Sequence, residues 1–389
     1  VFGVYAERFS PFGTTIFSEM TKLANERGAI NLAQGFPDFD APSAILDEAV
    51  AALRSGQNQY ARSMGHPPLV EALAKKIEHD YGLHYDPHSE ILVTNGATEG
   101  IASAFLGLLN PGDEVIFFEP HYDSYPVCAA IAGAVCRFCT LRFPDFAINF
   151  DELENCFSDR TRVLFINTPH NPTGKVFSQG ELKCLAELCV RRDVLVITDE
   201  VYEHITYDGA RHVPMAKIPG MRGRTLTISG AGKTFSMTGW RIGWITGPSP
   251  LVEAVQRAHQ YVTFAPATPL QAALASAFST IEDSYFQELR RDYTQRRGLL
   301  LDVLKTTGLR VAVPRGTYYI LADFSGIWEG DDRSFVHHLI DHRGVAAIPP
   351  SSFYTRDPHE GRKLVRFAFC KRLDTLKQAA ERLKDFSIP

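Results

Sequence analysis

Short apolar runs alternate with longer segments of mixed character through the first two-thirds of the chain. Residues 90–94, 114–118, 135–141, 163–166, 194–198, 225–229 and 242–246 form short strand-like runs. Such runs suit strands covered on both faces. Between most of them, residues 122–132, 178–192 and 250–262 carry helical spacing, and a tight turn at Asn95–Gly100 opens another helix through Leu109. This alternation predicts an α/β fold with a seven-stranded, mostly parallel sheet sandwiched by helices. Ligands of such sheets sit at the carboxyl ends of the strands.

The pattern differs at both ends. A helical stretch begins near Thr14 and puts Ile16, Met20 and Leu23 on one face. The segment I-N-L-A-Q-G-F-P-D-F follows; Gly35, Phe36 and Pro37 break regular structure there, predicting a loop. It reads either as a plain connector or as a backbone edge facing a substrate. Helices are predicted over 42–54 and 68–81. Past residue 265 come an Ala-rich helix (269–279), a long amphipathic helix (284–305), two strands around Gly316, a helix at 333–343, strands at 346–348 and 364–370, and a last helix at 373–385. Strands and helices are mixed here as in a smaller α+β domain. The chain of 389 residues is too long for one ordinary core. The expected division is a large domain at 42–280 and a small one made of 1–41 and 281–389.

Composition narrows the class. With 45% hydrophobic and 22% charged residues, the protein reads as soluble and globular. A net charge of −5 argues against nucleic acid as the main partner. No apolar run approaches spanning length and no basic-then-apolar leader opens the chain, so no membrane role is expected. Seven scattered cysteines suit reduced thiols and a cytoplasmic setting. Cys136 and Cys139 form a lone C-x-x-C inside a strand-like run, without the second pair a zinc site needs. No metal site is predicted. His337, His338 and His342 read as solvated helix surface.

Candidate chemistry falls just after the predicted strands. Lys233 lies in T-I-S-G-A-G-K-T-F-S-M-T-G-W-R-I-G-W, between glycines that let the backbone bend, with Arg241 eight residues on. The Gly232-Lys233-Thr234 step resembles a P-loop tail, but Thr227 stands where that motif needs glycine. A reactive amine and a fixed cation suit a cofactor with both an aldehyde and a phosphate, pyridoxal 5'-phosphate, held as a Schiff base. An ordinary surface lysine is the other reading of Lys233 alone. Ala97 and Thr98 open a helix whose free N–H groups favour an anion. Tyr122 could offer a ring face to a flat cofactor or be a core aromatic. The loop Asn167–Gly174 holds two X-Pro bonds, a stiff shape that a cis bond would suit, with Asn171 as its specific polar side chain. Asp199 ends a buried strand, a costly place for a carboxylate without a cation or strong donor.

Together, N-P-T-G at Asn171, D-E-V-Y from Asp199 to Tyr202, Gly232-Lys233 with Arg241, and V-R-F around Arg366 resemble the class I, fold-type I pyridoxal-phosphate aminotransferases over essentially the whole chain. The segments A-Q-G-F-P-D-F, E-P-H-Y-D-S-Y, N-T-P-H-N-P-T-G, A-G-K-T-F-S-M-T-G-W and V-A-A-I-P-P-S-S-F-Y are similar to the kynurenine aminotransferase/glutamine transaminase K branch and its bacterial methionine aminotransferases. The resemblance implies that Lys233 holds the cofactor aldehyde and later moves the substrate Cα proton. It gives Asp199 the pyridine nitrogen, Asn171 and Tyr202 the ring phenolate oxygen, and Tyr122 a stacking role. Ala97, Thr98 and Arg241 would bind the phosphate, joined by Tyr60 of a partner subunit. Arg366, with Gly35 and Asn171, would receive the substrate α-carboxylate. Phe17, Tyr122 and Tyr319, with Phe264 from the partner, would line the side-chain pocket, and a homodimer with shared active sites follows.

The family serine three residues before the lysine is replaced by Gly230. Either Ser229 substitutes or one phosphate contact is lost. The expected reaction moves an amino group from an uncharged or aromatic amino acid (methionine, glutamine, phenylalanine, kynurenine) to a 2-oxo acid by a ping-pong mechanism. A cysteine-conjugate β-lyase on the same scaffold is the alternative. A pyridoxal-phosphate-sensing regulator would carry an added DNA-binding module, whereas this chain opens almost directly at the catalytic fold.

Overall fold

The continuous apolar runs become one central sheet in the computed structural model, which describes residues 6–384. A two-residue strand, β1 (Ile30–Asn31), comes first, inside the stretch expected to be loop. The seven central strands are β2 (Ile91–Thr94), β3 (Glu114–Glu119), β4 (Val135–Thr140), β5 (Thr161–Asn167), β6 (Leu195–Asp199), β7 (Thr225–Gly230) and β8 (Gly243–Thr246). They lie in the order β2-β8-β7-β6-β5-β3-β4. Strand β8 runs antiparallel to both of its neighbours, and every other pairing is parallel. Seven strands and a mostly parallel sheet match the sequence expectation. Chain order reverses between β3 and β5, the kind of switch point where parallel sheets open a crevice.

Local sequence explains the covering helices. Ser178 and Glu181 form a capping box at the start of the helix Gln179–Arg191. Thr15 caps the helix Ile16–Arg27, which Gly28 ends in a left-handed conformation. A short helix at Phe150–Glu154, capped by Asn149, was not evident from the apolar pattern; it is too brief for a periodicity to show.

The remaining strands are β9 (Arg310–Ala312), β10 (Tyr319–Asp323), β11 (Val345–Ala346) and β12 (Leu364–Ala368). Strands β12, β10 and β9 make an antiparallel sheet, and β1 pairs in parallel with β11. The Ala368 N–H also donates to the Leu32 carbonyl at 2.8 Å. The N-terminal arm is thereby stitched to the C-terminal strands. Ile16, Met20 and Leu32 share one apolar core with Tyr318, Phe353 and Phe367. The expected strand at 346–348 is displaced: Ile348 makes only a bridge to Arg366. The helix expected at 333–343 divides into Asp332–His338 and a wider turn at Leu339–Arg343. The last helix runs Leu373–Leu383; its expected final residue, Asp385, lies outside the described residues. No helix among the described residues is long and apolar enough to cross a membrane.

Candidate active site

Four strand ends deliver the site. After β7, Gly230 enters extended and a single helical turn, Ala231–Thr234, carries Lys233. Lys233 is half-buried, and its Nζ donates to the Gly35 carbonyl at 3.4 Å. The amine also lies 5.8 and 5.6 Å from the ring centres of Tyr202 and Tyr318. Burial lowers its pKa to about 8, helped by the like charges of Arg241 and Arg366 and opposed by Cys370 and Asp199.

Asp199 ends β6 and is 5% exposed. Tyr125 donates to its Oδ2 at 2.6 Å, and the Val201 N–H to its Oδ1 at 3.3 Å. Burial raises its pKa to about 6, against the pull of those hydrogen bonds and of Lys233. Asn171 follows β5 in a loop whose two X-Pro bonds are both cis. Its Oδ1 accepts from Arg366 Nη1 at 3.2 Å. Arg366, in β12, has no exposed surface. Its Nη2 donates to the Ala33 carbonyl at 2.8 Å. The rings of Tyr319, Phe353 and Phe17 lie 4.1, 5.1 and 5.2 Å from its guanidinium carbon. Tyr202 and Tyr319 share a hydroxyl hydrogen bond of 3.3 Å. Tyr122 sits 5.9 Å from Phe17 and 5.7 Å from Tyr125, two residues before its helix begins.

A second pole forms where the helix Gly96–Leu108 starts. Gly96 has φ +75°, and a Cβ there would lie 2.6 Å from Arg241 Nη2. A Cβ on Gly243 would lie 2.7 Å from the Gly96 backbone. Two missing side chains thus let the Arg241 guanidinium and the helix start, with Ala97 and Thr98, come together. The first-turn N–H groups of a helix have no partner within it.

Ser229 departs from expectation. Its hydroxyl donates to Glu203 Oε1 at 2.7 Å, inside a buried polar group that also holds Tyr81, Glu200 and His212. Alternate strand residues point to opposite faces, so Ser229 lies on the face opposite to that of Gly230, its hydroxyl already engaged by Glu203, and of the two expectations the loss of one phosphate contact fits better. Tyr60 (85% exposed) and Phe264 (45%) lie in the open and pack edge-to-face at 5.2 Å. Residues beyond those expected also belong here: Tyr125, Asn167, Phe353 and Tyr318. Tyr125 is one helical turn after Tyr122, and Asn167 opens the N-T-P-H-N-P-T-G loop; both signals were present in the sequence.

Among the described residues, no carboxylate lies within ion-pair distance of Lys233, Arg241 or Arg366, and Asp199 has no cationic partner within that distance. The buried Arg366 and Asp199 without protein counter-ions are costly unless a ligand completes them, and the half-buried Lys233 and exposed Arg241 leave two further cations open to it. An aldehyde-bearing, phosphorylated pyridine ring together with an amino-acid carboxylate fits that donor set. The buried Arg366 Nε, without a hydrogen-bond partner among the described residues, adds to the unmet demand.

The family model for aminotransferases of classes I and II matches residues 27–383. A probable N-succinyldiaminopimelate aminotransferase of Mycobacterium tuberculosis is 46% identical over 97% of each chain. Kynurenine–oxoglutarate transaminase 3 of Rattus norvegicus is 41% identical over 97% of this chain and 89% of its own. The solved structure of an Escherichia coli protein with a methionine aminotransferase function superposes with a TM-score of 0.94, at 39% identity, over 98% of this chain and 99% of that one.

Proposed function

The chain belongs to the class I and II aminotransferases, fold-type I enzymes that use pyridoxal 5'-phosphate, and on that premise we propose that its amino donors are uncharged or aromatic amino acids such as methionine, glutamine, phenylalanine and kynurenine. The observation that carries this reading is the aromatic cage of Phe17, Tyr319 and Phe353 around the buried Arg366. A carboxylate on Arg366 leaves the rest of the substrate against apolar ring faces, where a second charge would be desolvated without a partner. The amino group then passes to a 2-oxo acid in a second half-reaction, which gives ping-pong kinetics.

Pyridoxal 5'-phosphate, when bound, supplies an aldehyde for amines and a ring that accepts electrons from the substrate Cα. Lys233 is the residue that would hold that aldehyde between turnovers. With a pKa near 8, a useful share of its amine is neutral at physiological pH, and it would take the proton from the substrate Cα. Asp199, itself held by Tyr125, would keep a proton at the ring nitrogen. Asn171 and Tyr202 would hydrogen-bond the ring oxygen. Arg241, Ala97 and Thr98 would hold the phosphate. Tyr122 would cover the ring face, and Arg366 with Asn171 and Gly35 would orient the substrate carboxylate. The exposed Tyr60 and Phe264 act across the interface of a cytoplasmic homodimer. Residues 42–280 would form the cofactor-binding domain, and the described residues before and after them the smaller one.

A second reading is favoured by the 46% identical relative: the donor is N-succinyldiaminopimelate, which carries two further carboxylates distant from the reacting one. Half-reactions followed by absorbance separate these, with methionine, kynurenine, glutamine and N-succinyldiaminopimelate each added to the pyridoxal-phosphate form. Conversion of the cofactor band by the uncharged donors, at kcat/KM at least tenfold above the tricarboxylate, supports the aromatic-cage reading; the reverse order replaces it. Release of pyruvate and thiol from a cysteine conjugate without a 2-oxo acid would mark the β-lyase.

A further inference from the structure

The ladder between β5 and β6 ends at the pair Asn167 and Asp199. The Asn167 side chain, 4% exposed, extends the connection past that end. Its Nδ2 donates to the Asp199 carbonyl at 2.8 Å, and its Oδ1 accepts the Asn171 N–H at 2.7 Å. Asn171 in turn accepts from Arg366. A carboxamide has a donor and an acceptor at fixed separation, so this single group ties the backbone of Asp199 to the loop that aims Asn171 at Arg366.

We propose that Asn167 is a positioning residue that sets the carboxylate meeting the cofactor ring and the Asn171–Arg366 pair receiving the substrate carboxylate in one fixed relation. The proposal rests on the aminotransferase reading. Its two arms are unequal. The Asp199 carbonyl also accepts the Thr168 N–H at 3.0 Å, so it keeps a partner if Asn167 is lost. The Asn171 N–H has only Asn167 as its acceptor among the described residues. Removing the carboxamide therefore loosens Asn171 first, and the cost appears in carboxylate binding more than in the fold.

The test measures two affinities on the pyridoxal-phosphate enzyme by absorbance: that for pyridoxal 5'-phosphate, and that for 3-phenylpropionate, which has the carboxylate but no amine. Asn167→Ala should weaken 3-phenylpropionate binding roughly tenfold, the scale of one buried hydrogen bond, and raise KM for amino donors more than it lowers kcat. Asn167→Asp keeps an acceptor for the Asn171 N–H but turns an oxygen toward the Asp199 carbonyl, so it should recover part of that affinity, and more at low pH, where the protonated oxygen donates to that carbonyl. In an Asn171→Ala background, Asn167→Ala should add less than about twofold, because both act through one contact. Should Asn167→Ala not fold, Asn167→Ser takes its place, its hydroxyl being too short to reach both partners. Wild-type affinities in the substituted protein, or equal losses in both backgrounds, overturn the proposal. A wild-type protein that takes up no pyridoxal 5'-phosphate would instead overturn the functional reading beneath it.

Discussion

Gly35 and Tyr319 touch so closely that the missing side chain of the glycine makes room for the tyrosine hydroxyl; a Cβ on Gly35 would overlap it. The contact joins the N-terminal arm to β10. The carbonyl of Gly35 accepts from both Lys233 and Tyr318, so displacement of this loop reaches the reactive amine directly.

Gly35→Ala should therefore lower kcat/KM by about 100-fold, since displacement of about 1 Å at a reacting centre has that effect. Its stability loss should stay within about 1–3 kcal/mol, the usual range for overpacking. Steady-state kinetics and a thermal melt check both. Adding Tyr319→Phe removes the worst overlap and should restore part of the stability. Unchanged kcat/KM in Gly35→Ala would show that the loop moves aside freely.

Lys233 makes a pH prediction. Its folded pKa of about 8 lies below the ordinary lysine value of 10.5. The burial penalty on its charge is thus complete below pH 8 and gone above 10.5, so this group's contribution to stability improves as pH rises through that window. In cofactor-free protein, reductive alkylation of Lys233 should reach half its maximal rate near pH 8. Lys233→Met should stabilise the cofactor-free protein by about 1–3 kcal/mol at pH 7 and by less at pH 10. A half-maximum near 10.5 would contradict the assignment.

Asp199 behaves in the opposite sense. Its folded pKa of about 6 stands above the ordinary 3.8, so ionising it in place is unfavourable. That penalty is absent below pH 3.8, grows between 3.8 and 6, and is complete above 6. Asp199→Asn should raise the melting temperature of cofactor-free protein at pH 7.5 and leave it nearly unchanged at pH 4. The same change should slow amino transfer by about 100-fold or more, because the ring nitrogen loses its ionic partner. A lower melting temperature at pH 7.5 would refute the buried-charge account.

Behind the sheet, His212 Nε2 and Glu200 Oε2 form a buried pair at 2.6 Å. Burial opposes the imidazolium charge, but Glu200 and then Glu203 overcome it and raise the pKa of His212. Its stabilising contribution is complete below pH 6.5 and is lost as pH rises through the raised value. His212→Ala should cost about 3–5 kcal/mol by leaving a buried carboxylate unpaired, read from urea denaturation at pH 6. A loss below 1 kcal/mol would mean that water or another group replaces the histidine.

Most of the central strands were legible because they are buried on both faces, and burial is written into composition residue by residue; the edge strand β4, exposed along its first half, was legible from the apolar residues it keeps. Lys233, Asp199 and Asn171 stood out because glycines, a buried-strand context or prolines made their chemistry unusual at those positions, whereas Arg366 was marked only by the V-R-F segment of the family resemblance. Strand β1 was not legible: Ile30–Asn31 is two residues long and becomes a strand only because Val345–Ala346 lies beside it. The direction of the Ser229 side chain was hidden for a related reason. Counting residues from Lys233 fixes distance along the chain, while the pleat of β7 decides which face a hydroxyl occupies.

Local pattern and local chemistry in the sequence thus determined the order of strands and helices, the candidate lysine, and the family to which the chain belongs. Tertiary structure alone decided which distant groups meet. Asn167 reaches both Asp199 and Asn171, Arg366 is enclosed by rings from three separate segments, and Gly35 fits against Tyr319. Those relations depend on side-chain direction and on packing between elements that range from four to more than three hundred residues apart, neither of which the chain's own periodicity encodes.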